Sequence, residues 1–137
     1  MLRSIVSIVA GFVVWSVLWL VAGQVALGVA PAAFGENGAT SHGGVLGGLL
    51  VASVICSLIG GLTVALIVRR SVTGHAVVLG VVLLAVGVAV QAQSWDAMPV
   101  WYHLLFLVLL LPLTVVGAQL RPAVMSAGAP AGRPAAG

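Results

Sequence analysis

Every charged side chain in the sequence falls outside four long apolar runs, and this limits the fold more than any other feature. The seven are Arg3, Glu36, Arg69, Arg70, Asp96, Arg121 and Arg133. The runs cover about 4–30, 45–68, 75–93 and 100–120. A helix needs roughly 20 residues to cross a hydrocarbon core of about 30 Å. Runs one, two and four exceed that length. The third is clearly apolar from His75 to Gln91 and spans fully with Gln91 and Gln93 at the headgroup level.

Composition excludes a water-soluble alternative. Hydrophobic residues make up 62% of the chain and charged residues 5%, against roughly 25% charged in soluble domains. So few charges cannot build a polar shell. The runs are continuously apolar rather than alternating and about twice as long as a spanning strand, so helices are expected rather than a barrel. Their Val and Ile content does not oppose this, because backbone groups in lipid must bond within their own segment. The expected fold is all-α, a four-helix transmembrane bundle over 1–121. A disordered tail rich in Ala, Gly and Pro follows over 122–137.

The connections carry turn residues. Pro31 to Gly44 reads as a flexible polar loop, and Arg69 to Gly74 as a tight link making helices two and three antiparallel neighbours. Gln93 to Pro99 forms the last loop, with Pro99 starting helix four. Run one is read as a retained helix rather than a cleaved leader. Its apolar stretch is about twice that of a leader, and cleavage after Gly28-Val29-Ala30 would leave Pro31 first.

All five Arg lie on one side of this topology, and Glu36 and Asp96 lie on the other. Short Arg-bearing loops stay cytoplasmic, so both termini are expected inside. The net charge of +3 does not indicate nucleic-acid binding, because the chain has no Lys and its Arg are spread from end to end. Trp95, Asp96, Trp101, Tyr102 and His103 mark the outer face, with the aromatic rings as interfacial anchors.

Helix two carries the packing signal. Gly44, Gly48, Ala52, Cys56 and Gly60 recur every four residues, beside Ser53, Ser57, Gly61 and Ala65. Each series forms a stripe of small residues that lets another backbone approach. Packing within the chain is the simpler role for the stripe, and a homo-oligomer interface the sharper one. Gly80 and Gly87 of helix three are candidates to face it. Trp15 and Trp19 are expected to fill space against the same surface, a lipid or cofactor groove being the other reading.

His42 and His103 are candidate metal ligands in a layer that also holds Glu36 and Asp96, but they lack the i, i+3 or i, i+4 spacing of a prebuilt helical site. His75 belongs to the opposite side. No ionisable group lies deep in a helix, which speaks against proton- or ion-coupled transport. Gln24, Gln91, Thr63 and Thr114 are the main polar residues in the spans. The lone Cys56 excludes an intrachain dithiol, and no nucleophile-base pair, phosphate loop or zinc motif is present. Pro112 marks a kink or hinge in helix four.

The stretch Trp95-Asp96-Ala97-Met98-Pro99-Val100-Trp101-Tyr102-His103, with Leu104-Leu105-Phe106, Pro112 and Gly117-Ala118, resembles a group of small bacterial four-helix membrane proteins without an assigned activity. The likeness runs along most of the chain. It includes the Arg-bearing N-terminus, the Gly-rich helix two and the short basic loop, and it implies the fold and a bacterial inner membrane. In physical terms the stretch is an outer turn, with Asp96 as a cap and Pro99 opening the helix. The expected role is non-enzymatic and free of cofactors: a structural or accessory subunit, or a homo-oligomer, in the lipid bilayer. A channel or transporter built by an oligomer, or a metal- or haem-binding redox subunit, are the alternatives.

Overall fold

The computed structural model describes residues 2–68 and 70–128. Helix α1 covers Leu2–Val29, and a single 3-10 turn, Pro31–Ala33, follows. Then come α2, Gly43–Ile67, α3, Val72–Gln93, α4, Val100–Gln119, and a short α5, Arg121–Ala127. Four segments of the described chain are long and apolar enough to cross a membrane, the last being α4 continued through α5. The third span needs no special allowance. It starts at Val72, three residues before His75, and its 22 residues extend about 33 Å.

The helices run up and down, so Arg3, Arg70 and Arg121 gather at one end of the bundle and Glu36 and Asp96 at the other. These are called the arginine end and the acidic end below. Helix α2 is central and packs chiefly on α4 and α1, while α3 packs mostly on α4. The short link between α2 and α3 therefore does not make them principal partners, although they do touch. Gly80 faces Leu111, and Gly87 faces Leu110, Leu107 and Phe106, so both serve α4 rather than the α2 stripe.

The larger of two buried clusters holds Trp15 from α1, Leu46, Leu49, Cys56 and Val64 from α2, Leu79 and Leu83 from α3, and Tyr102, Phe106 and Leu110 from α4, and the smaller is Ala65, Ala76 and Ala118. The outward faces are valine-rich. Val9, Val13 and Val17 on α1, Val51 on α2, Val81 and Val88 on α3 and Val108 on α4 are all exposed. A folded chain that leaves such ridges uncovered matches an apolar surrounding and not water.

The 31–42 loop carries hydrogen bonds of its own. Thr40, buried, donates its hydroxyl to the Ala33 carbonyl at 2.6 Å and accepts the His42 amide at 3.1 Å. Gly35 N–H donates to the Ala39 carbonyl at 2.8 Å, closing the turn. At the other end, residues 121–127 form α5 where disorder was expected from 122 onward. Pro122 sits in the first turn, where its missing N–H costs nothing, and Ala, Met and Val follow it. The remainder of that expected tail, 129–137, lies outside the described residues, as do Met1 and Arg69.

Candidate functional site

The small-residue series of α2 divides at mid-helix. In the arginine half its glycines are consumed by contacts within the chain. A Cβ on Gly60 would stand 3.4 Å from both the Gly11 carbonyl oxygen and Trp15 Cβ, so α1 and α2 cross at Gly11 and Gly60. One residue on, Gly61 lies directly against the Thr114 carbonyl, while Gly117 lies against the Leu58 backbone. These are backbone-to-backbone approaches that any side chain would block, and they fix α2 on α4. Ser57 adds a polar tie by accepting the Trp15 indole N–H at 3.2 Å.

In the acidic half of the same helix Leu46 and Leu49 are buried in the core, but the small-residue face is open. Gly44 and Gly48 are exposed, and a Cβ on Gly48 would meet nothing within 4 Å. With Ala52 they form one wall of an apolar groove of about 400 Å³, whose other wall is Ala22, Val25, Ala26 and Val29 of α1. His42 stands at its mouth, its ring over Gly44 at 3.3 Å from the Cβ position. Ser53 faces inward and is buried, and its hydroxyl has no partner among the described residues.

A column of rings runs from the interior to the acidic end. Trp15 and Trp19 stack at 5.7 Å, and both reach Phe106, at 6.4 and 5.1 Å. Phe106 meets Tyr102 at 6.0 Å, Tyr102 meets His103 at 6.0 Å, and His103 stacks on Trp95 at 4.7 Å. Exposure differs along the acidic end of this column and its neighbour Trp101. Trp95 and Trp101 are 41% and 45% exposed, whereas Tyr102 is 2% and His103 0% exposed. Tyr102 and His103 thus face the bundle interior and not its outer surface. They share an inward stripe with Phe106, Leu110, Thr114 and Gly117 at helical spacing, all of them buried. Asp96 is exposed and does not cap α4, whose N-cap position is Pro99 with no side-chain cap bond.

His103 is held by a residue that the sequence reading placed at the headgroup level. Gln91 of α3 is buried, and its Oε1 lies 2.6 Å from His103 Nδ1. An amide oxygen only accepts, so Nδ1 carries the proton and donates. Nε2 is buried with no partner among the described residues. A signal was available: two polar residues facing each other across a short link, at the end of one span and the start of the next.

Four other polar groups in the spans bond to their own helices. Ser7 donates to Ser4 O, Thr63 to Ile59 O, Gln93 to Ala89 O and Thr114 to Leu110 O. His42 and His103 have different surroundings, and among the described residues no three His, Cys, Asp or Glu side chains gather within metal-binding reach. At the arginine end, Arg121 donates from Nη1 to the Val68 carbonyl at 3.0 Å, closing the C-terminus of α2.

No protein-family model, curated protein or solved structure matches the chain.

Proposed function

We propose that the chain is a non-enzymatic multi-pass protein of the bacterial inner membrane with both termini in the cytoplasm. Its role is that of a structural or accessory subunit, assembling with a second copy or with other membrane proteins. The carrying observation is the split in α2. Gly60 and Gly61 are occupied by α1 and α4, while Gly44, Gly48 and Ala52 line an open groove. Helices in lipid associate where small residues let backbones approach, and this is the small-residue face of α2 that no other helix fills. Ser7, Thr63, Gln93 and Thr114 each bond to their own helix, and the buried polar atoms left without a partner, Ser53 Oγ and His103 Nε2, are too few to line a polar path through one chain.

Replacement of Gly48 and of Gly61 by Leu tests the reading, because the two glycines now have different roles. Gly61→Leu should abolish accumulation of folded protein. Gly48→Leu should accumulate normally yet change the assembly size in mild detergent, or the proteins co-purified from native membrane. Unchanged size and partners for Gly48→Leu would overturn the assembly reading.

A further inference from the structure

A second groove, of about 520 Å³, lies at the arginine end and is lined by Val72, Thr73, Ala118, Gln119, Arg121, Pro122 and Met125. We propose that it binds an anionic phospholipid, with the phosphate on Arg121 and the glycerol and upper acyl segment along Val72, Ala118 and Met125.

Three observations converge. The first is depth. Helix α3 begins at Val72 and α4 ends at Gln119, with lengths of 22 and 20 residues. At 1.5 Å per residue they span about 33 and 30 Å, close to the hydrocarbon thickness, so the groove sits at headgroup level. The second is charge. Arg3, Arg70 and Arg121 all belong to this end, and both acidic residues belong to the other. Basic pockets between helices at such an end select anionic headgroups. The third is chemistry. The bond to Val68 holds the Arg121 guanidinium in place but uses one of its donors, leaving the others for a phosphate. Thr73 and Gln119 are exposed, and they supply further donors at the rim. The apolar wall is what distinguishes a lipid from a free anion. Inorganic phosphate gains nothing from Met125 and Ala118, whereas a lipid covers them.

The proposal does not depend on the α1–α2 groove or on oligomer formation. It is tested on the full chain in mild detergent, with unfolding followed by tryptophan fluorescence. Dioleoylphosphatidylglycerol should raise the midpoint saturably, dioleoylphosphatidylcholine at the same mole fraction should do so much less, and inorganic phosphate not at all. Arg121→Gln should weaken the phosphatidylglycerol response about fivefold or more. Because that change also removes the bond to Val68, Met125→Trp supplies a second variant that fills the groove and leaves the bond intact. It should keep the lipid-free midpoint and lose the response. Equal responses to the two lipids would overturn the proposal, as would a response to phosphate alone or a response that survives Met125→Trp.

Discussion

A leucine at position 61 would have to occupy the place of the Thr114 carbonyl, and one at 117 that of the Leu58 backbone. Neither neighbour can rotate away, so both changes should unfold the α2–α4 contact, seen as loss of a monodisperse peak in mild detergent. The His103–Gln91 pair makes a gentler test. Polar ties between membrane helices average about 0.6 kcal/mol and reach about 1.7. Replacing Gln91 by Leu strands His103 Nδ1 as well as losing the bond, so it should cost about 1–2 kcal/mol in denaturant titration. His103→Leu should cost no more, since Gln91 can reach the acidic-end surface from its helix terminus. The double variant should be less destabilised than the sum of the two, and strict additivity would show the bond to be worthless. Ser71 is a third case. It is the one described non-glycine residue with positive φ, at 51°, in the link before α3. Glycine accepts that conformation freely, so Ser71→Gly should gain up to about 1 kcal/mol, measured in the same titration.

Among the elements, α4 is the one with a proline in its interior. Pro112 lies inside it and has no N–H, so the Val108 carbonyl lacks its usual intrahelical donor. Two residues on, Thr114 adds a hydroxyl bond to the Leu110 carbonyl at 2.7 Å. Pro112 is exposed and faces outward, so Pro112→Ala should restore the missing bond without disturbing packing. A gain of about 1–3 kcal/mol is expected, and a loss would mean that the proline itself is required for the α2–α4 fit. The element scale also shows what the sequence made legible. Helix number and approximate bounds follow from run length, because lipid leaves the backbone no alternative. Which side of each helix faces inward was far less visible. Among residues that are apolar on every face, Tyr102 and Trp101 look alike, yet one is buried and the other exposed. Periodicity of small and polar residues decides the matter in α4, where 103, 106, 110, 114 and 117 form the inward stripe. The α2 stripe was legible as a pattern, but its division into an occupied and an open half depends on where α1 and α4 cross it.

At the scale of the whole molecule, the separation of Arg from Asp and Glu predicts orientation. In a Cys56→Ala background, a cysteine at the exposed Ser41 in the 31–42 loop should react with an impermeant maleimide in intact spheroplasts. A cysteine at Ser126 should react only after lysis. The opposite result would invert the topology and, with it, the leaflet that meets the Arg121 groove. Cys56 itself is buried and suits removal, being 3% exposed and without a side-chain bond across the bundle.

The crossing of α2 on α4 also has a consequence for the order of synthesis. Gly61 and Gly117 are 117 − 61 = 56 residues apart in sequence, so Gly61 leaves the ribosome well before the surface that will cover it. At roughly 5–20 residues per second, the interval is about 3–11 s. During it, α1 and α2 can already close at Gly11 and Gly60, presenting a bare glycine face to the insertion machinery and to every neighbouring helix. A nascent chain stalled before α4 therefore exposes, on a paired and otherwise finished hairpin, the surface most able to capture the wrong helix.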